Sequence, residues 1–147
     1  MSGNSLTESQ LKEKANLVRV ALVNRIRKTS KRYAITYLEL SNSCRFKYNM
    51  CVPQDRKSFG RILGLLLHEE HKEKRPLLTS IIYLSRKNIQ GDGFFKLLHA
   101  EDIGNARRRT LKELKDFDFR RRLEVEAVKF WPNDFNYESV KHELSLE

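Results

Sequence analysis

Apolar residues recur at steps of three and four over residues 7–28. Leu11, Ala15, Val18, Leu22 and Ile26 fall on one stripe, the period of a helix buried along one side. Thr7 and Ser9 are the candidate N-caps, since a short hydroxyl side chain can accept from the free N–H groups of a first turn. A second helix is expected over 36–44. Thr36 followed by Glu39 has the spacing of a capping box, and Tyr37, Leu38 and Leu40 supply its buried side. The stretch NMCVPQD then interrupts the pattern at Pro53. A third helix is predicted from Asp55 or Ser58 to about Lys74, with Phe59, Ile62, Leu63, Leu66 and Leu67 as its apolar stripe. Lys57, Arg61, Gly64 and His68 form a separate small and basic stripe. A glycine inside a helix costs about 1 kcal/mol against alanine, so Gly60 and Gly64 point to a close approach by another helix or by a nucleic-acid backbone.

Pro76 stops that helix. PLLTSIIYLSRK, rich in β-branched residues, reads as a strand buried on both sides. NIQGDG has turn chemistry, with the glycines expected at positive φ and Asp92 bonding its own backbone. GFFKLLHAEDI either returns as a short strand or passes straight into a helix. A last long helix is expected from Asn105 to about Phe130, carrying Leu111, Leu114, Phe117, Val125 and Val128. The tail beyond Trp131–Asp134 has room for a further helical turn or two. These elements predict an α+β, mostly helical fold in a single domain over 1–147. Residues 5–32 form an N-terminal helix. Residues 33–104 form a winged helix-turn-helix-like core with a short β-hairpin. Residues 105–147 form a C-terminal helix and an acidic tail. The connection at 45–54 is longer than the simplest helix-turn-helix uses.

Charge changes this picture from architecture to partner. The chain of 147 residues carries a net +10 with a pI near 9.8, and the charge is grouped. It amounts to +7 over 1–54, +2 over 55–104, +5 over 105–122 and −4 over 123–147. Grouped positive charge attracts polyanions through counterion release, which makes nucleic acid the leading partner. No apolar run reaches the ~18 residues of a membrane span. MSGNSLTESQLKEK lacks the apolar centre of a signal peptide, and Ser2 stands where N-myristoylation needs glycine, so a cytoplasmic location is expected. In that compartment Cys44 and Cys51 read as reduced thiols, and neither they nor His68, His71, His99 and His142 complete a zinc pattern.

Three motifs and one helix then carry a resemblance. GRILG at 60–64, RPLLTSII at 75–82 and GDGFF at 91–95, together with TYLEL at 36–40, resemble a small bacterial domain. Its motifs are of the GRxLG, PLLTxIV, PGDGF and TYxEL types. The resemblance covers about residues 35–96 and implies a winged-helix-like module of mobile-element or defence-associated type. The chain departs from the pattern at Gln90, where proline is usual, and in its long basic ends.

The candidate chemistry narrows the function classes. Gly91-Asp92-Gly93 lacks the length and the Lys-Ser/Thr step of a P-loop. Lys96 stands where a dinucleotide fingerprint needs its third glycine. Asp92 has no carboxylate or histidine partner at a recognised spacing. His68-Glu69-Glu70-His71 places its histidines three apart rather than the four of H-E-x-x-H, and reads as an exposed, charge-laced helix end. LEVEAVKFW, with Glu124, Glu126 and Lys129, offers a nuclease reading, although a Glu-x-Lys step is absent. No catalytic residue, metal ligand or cofactor is assigned.

The basic residues carry the leading reading. Arg56, Lys57 and Arg61 cluster at the start of the third helix, the end a winged helix places in the major groove. Arg86 and Lys87 sit near the expected wing tip. Arg27, Lys28 and Arg32, with Arg25 and Lys31, stand where they can hold flanking phosphates. The arginine triplets at 107–109 and 120–122 lie about 19 Å apart if one helix carries both. They can ride the same backbone, bind acidic protein, or pair with Glu124 and Glu126. The expected function is therefore non-enzymatic binding of nucleic acid, double-stranded DNA first. One alternative is a protein-interaction or inhibitor factor, acting as an adaptor or as a homodimer through its terminal helices. The other is a metal-dependent nuclease.

Overall fold

The computed structural model describes residues 6–29, 32–84 and 89–144, and it is mostly helical with one small parallel sheet. Helix α1 spans Glu8–Lys28. Thr7 is its N-cap: the hydroxyl accepts from the Gln10 N–H at 3.1 Å while the Gln10 side chain accepts from the Thr7 N–H at 2.9 Å. Ala15, Val18, Leu22, Val23 and Ile26 bury its inner face. Strand β1 is the pair Ile35–Thr36, and α2 follows at once over Tyr37–Ser43. The predicted Thr36/Glu39 capping box forms in both directions.

The connection from Cys44 to Val52 is irregular, with Arg45 and Lys47 at positive φ (58° and 60°). It is fastened by aromatic contacts: Phe46 and Tyr48 both pack on Phe59, with ring centroids 6.1 and 5.9 Å away. Helix α3 runs Pro53–Lys72. Pro53 opens this helix instead of interrupting it, because the first helical position has no N–H partner to lose and the ring presets φ. The expected apolar stripe, Phe59, Ile62, Leu63, Leu66 and Leu67, is buried.

The charge-laced reading of His68-Glu69-Glu70-His71 is corrected at its third residue. Glu70 is fully buried and lies between two guanidinium groups: Arg19 Nε at 2.8 Å and Arg75 Nε at 2.9 Å. Arg19, itself 3% exposed, also donates to Glu69 at 2.6 Å and to Asn16 at 3.1 Å. Position 70 continues the helical stripe four residues after Leu66, so it must enter the core, and only paired charge is tolerated there. This triad ties α1 to the end of α3.

The strand expected from PLLTSIIYLSRK shrinks to two residues. Leu78–Ile81 is a 3₁₀ turn, closed by the Ser80 hydroxyl donating to the Leu77 carbonyl at 2.7 Å. Only Ile82–Tyr83 is extended, as β2. Leu78, Ile81 and Ile82 are all buried, so nothing in their surroundings imposes the two-faced alternation of a sheet. The expected β-hairpin is not formed among the described residues. β2 pairs in parallel with β1, in the register Ile35↔Ile82 and Thr36↔Tyr83. Among the described residues no return strand follows, and α4 begins at Asp92 and runs to Ala100.

The single helix expected over 105–130 is three pieces: a 3₁₀ segment Ile103–Arg108, α5 over Leu111–Leu114 and α6 over Phe117–Phe130. Gly104 and Asn105 adopt positive φ (61° each), which breaks the first piece. An alanine Cβ at Gly104 would also meet the Phe119 ring at 3.1 Å. Thr110, in a capping box with Glu113, and Asp116, accepting from the Asp118 and Phe119 N–H groups, each restart the chain as a helix. α7 spans Asp134–Leu144, three turns where one or two were expected. Two cores result. α1, α2, α3, the 3₁₀ turn and the buried Trp131 share one. Phe94, Phe95, Leu98, Ile103, Leu114 and Phe119 build the other. Among the described residues no helix is long and apolar enough to cross a membrane.

Candidate nucleic-acid interface and adjoining cleft

α3 separates its two faces as its sequence predicts. Phe59, Ile62 and Leu66 are buried, whereas Arg56, Lys57, Gly60, Arg61 and His68 are exposed. Among the described residues no carboxylate pairs with Arg56, Lys57 or Arg61. Arg56 is nonetheless positioned, since its Nη1 donates to the Met50 carbonyl at 3.0 Å. Asp55, the acid nearest in sequence, accepts instead from the Asn49 N–H at 2.8 Å.

The two α3 glycines differ. Gly64 faces Leu97 of α4 at 3.6 Å, ordinary contact across a helix pair, whereas nothing lies within 4 Å of a Cβ placed at Gly60. Gly60 opens onto a cleft of about 570 Å³. The four segments that carry the resemblance converge there. Tyr37 and Leu38 come from the first, Gly60 and Leu63 from the second, Thr79 and Ile82 from the third, and Gly91, Gly93 and Phe94 from the fourth. The cleft is walled mainly by apolar side chains, and among the described residues Arg56 is its one charged lining residue.

The Gly-Asp-Gly turn differs in detail from expectation. Gly91 has φ −72° and is the N-cap of α4, while Gly93 lies inside that helix, so neither uses positive φ. Gly91 is small for another reason: its N–H donates to the Tyr37 hydroxyl at 2.8 Å, and a Cβ there would sit 3.1 Å from that oxygen. Burial raises the Tyr37 pKa above its ordinary value, the Gly91 N–H opposes this, and the Asp92 carboxylate adds to it. Asp92 is exposed and approaches Lys115 at 3.4 Å, and bonds no backbone of its own among the described residues. Gln90 is buried, with its amide donating to the Ser80 carbonyl at 2.6 Å.

The other predicted binding residues fall elsewhere. Arg86 and Lys87 lie outside the described residues, as does Lys31. Both ends of their segment are fixed by a 2.8 Å bond from the Leu84 N–H to the Ile89 carbonyl, and Leu84 lines the cleft. Arg27 is a tertiary clamp: it donates to the Trp131 carbonyl at 2.8 Å and to Asp134 at 2.9 Å, with its guanidinium 4.0 Å from the Tyr137 ring centre. Lys28 and Arg32 are exposed, Lys28 as the last residue of α1 and Arg32 shortly beyond it. Arg25 caps the carbonyls of Tyr33 and Ala34.

The arginine triplets are likewise partly internal. Arg107 donates to the carbonyls of His99 and Ala100, which end α4, Arg109 to that of Gly104, and Arg120 to that of Lys115. These arginines satisfy carbonyls that helix ends leave open. A spacing of about 19 Å along one helix does not exist, since several elements carry the two triplets.

Sequence reasoning missed two features. In the stretch Arg45-Phe46-Lys47-Tyr48 the aromatics turn onto Phe59 and both cations are exposed, an alternation visible in the sequence. Glu124, weighed as a nuclease carboxylate, is buried and faces Tyr33, Tyr83 and Arg121. Burial first, and then the Glu124 carboxylate, raise the pKa of both tyrosines. Glu126 and Lys129 of the same motif are exposed. Among the described residues, no three His, Cys, Asp or Glu side chains converge as a metal site would require. No protein-family model, curated protein or solved structure matches the chain.

Proposed function

We propose that the chain is a nucleic-acid-binding module whose contact surface is the N-terminal half of α3, with duplex DNA as its target. The observation that carries this reading is the contrast between two classes of cation. Arg19, Arg25, Arg27, Arg75, Arg107 and Arg109 are tied to carboxylates or carbonyls inside the fold. Lys57 and Arg61 are exposed on one helix with no acidic or carbonyl partner among the described residues, and Arg56 beside them has no acidic partner and keeps only its bond to the Met50 carbonyl. Unpaired cations on one rigid helix are what displacement of counterions from a phosphate backbone uses.

In this reading residues 33–104 act as a winged-helix-like module. α3 is the recognition helix. The resemblance in residues 35–96 supports the same module and its mobile-element character. The test is backbone NMR of the full chain titrated with duplex DNA at low salt. Shifts concentrated on residues 56–68 of α3 are expected. Shifts confined to the C-terminal elements, or no shifts, would overturn the reading.

A second reading, self-association or capture of a protein partner, is favoured by the C-terminal elements. Leu111, Phe117 and Phe135 are 58%, 63% and 81% exposed there, apolar side chains that a partner would cover. Light scattering across a concentration series tests it. A dimer that Phe117→Ser/Phe135→Ser dissolves would support it, and a monomer throughout would remove the homodimer.

A further inference from the structure

We propose that the cleft between α2, α3, β2 and α4 binds a small aromatic carboxylate. Its volume of about 570 Å³ lies within the range of roughly 300–1,000 Å³ that small-molecule sites occupy, and such sites combine apolar walls with a few convergent polar groups. Here the walls are Leu38, Phe59, Leu63, Ile82 and Phe94, a lining suited to a ring.

Two polar groups define the rest of the ligand. The Tyr37 hydroxyl already accepts from Gly91, and among the described residues no acceptor takes its own proton. Arg56 supplies the one charge of the lining among the described residues. Its bond to the Met50 carbonyl holds it at the rim and leaves N–H groups over for a carboxylate. A positive rim over apolar walls selects an apolar anion above a neutral ring or a cation.

Two glycines keep the entrance wide. Nothing lies within 4 Å of a Cβ at Gly60 or Gly93, and both line the cleft. In α3 the missing side chain at Gly60 is repaid by no contact inside the fold, which fits a position that an external molecule approaches. This site does not depend on the nucleic-acid reading. It would stand if duplex DNA failed to bind.

The test is calorimetric titration of the full chain with 6-hydroxy-2-naphthoate, against 2-naphthol as the counterpart lacking the carboxylate. Saturable one-to-one binding of the naphthoate is expected, with 2-naphthol weaker by about tenfold or more, the scale of a lost charge-assisted hydrogen bond. Arg56→Gln should bring the naphthoate down to the level of 2-naphthol. Gly60→Leu, at a position with open space, should block entry, and it keeps the site testable should Arg56→Gln disturb the Met50 contact. Absence of saturable binding at millimolar naphthoate, equal affinity for 2-naphthol, or full binding in both Arg56→Gln and Gly60→Leu would overturn the proposal.

Discussion

The Tyr37 hydroxyl accepts a 2.8 Å hydrogen bond from the Gly91 N–H, joining two segments 54 positions apart. Through it the start of α2 is fixed to the N-cap of α4, and the cleft between them takes its shape. Tyr37→Phe should destabilise the fold by about 1 kcal/mol, the usual net value of one such bond. Gly91→Ala should also destabilise, because its Cβ would press on the hydroxyl oxygen at 3.1 Å. The two changes meet at one atom, so in urea denaturation the double variant should lose less than the sum of the two losses. Strict additivity would show that this contact is not formed.

The buried triad offers a larger effect. Glu70→Gln leaves Arg19 and Arg75 side by side in the core without their carboxylate. Removing one member of a buried ion pair typically costs about 3–5 kcal/mol, so chemical denaturation should show a loss of about 3 kcal/mol or more. Glu69→Gln, at the partly exposed edge of the same network, should cost no more than about 1 kcal/mol. Equal small effects at both positions would refute the burial of Glu70.

How much of this was legible in the sequence follows the range of the interactions. The N-cap at Thr7, offered beside Ser9, and the capping box at Thr36 were readable because cap and partner lie three residues apart, and the inner stripes of α1 and α3 because they repeat with the helix period. Glu70 lay on that stripe too, but its charge outweighed its position, and its partner Arg19 is 51 residues away. The 3₁₀ turn at Leu78–Ile81 was read as a strand because its β-branched residues fit either state. In the fold that turn is held in part by Gln90, which donates to the Ser80 carbonyl from ten residues away. Of the proposed site, the basic stripe of α3 was visible from sequence. The cleft beside it was not, since it needs four separate segments to meet.

Glycine substitutions should separate open space from strain. Gly60→Ala is expected to raise stability by up to about 1 kcal/mol, since helix propensity improves and nothing obstructs the new methyl. Gly104→Ala should lower it, with positive φ and the Phe119 ring both opposing the side chain. Thermal melts of the two variants moving in opposite directions would bear this out, and a destabilised Gly60→Ala would contradict it.

Alkaline pH should weaken the fold before any carboxylate effect enters. Burial pushes the Cys44 thiol up from 9.0 to about 11, against the opposing pull of Lys14, and raises Tyr33, Tyr37, Tyr48 and Tyr83 above their usual 10.0. In each case the unfolded chain gives up its proton first. The associated stability is therefore complete below the unfolded pKa and is lost as pH rises through the folded one. Urea midpoints should hold steady up to about pH 9 and fall from there toward pH 11. At pH 8 a thiol reagent should label exposed Cys51 well before Cys44 in the folded chain, and both alike in denaturant. Equal labelling of the folded chain would place Cys44 outside the core.

The most direct measurement of the central claim is the salt dependence of duplex DNA affinity, by fluorescence anisotropy, for the native chain and for Arg56→Gln/Lys57→Gln/Arg61→Gln. Each phosphate contact removed should reduce the slope of log affinity against log salt by about 0.9. If α3 holds the backbone, the triple variant should bind more weakly, with a slope shallower by about two to three and an unchanged melting temperature. An unchanged affinity and slope in a folded triple variant would contradict the assignment of α3 as the nucleic-acid surface.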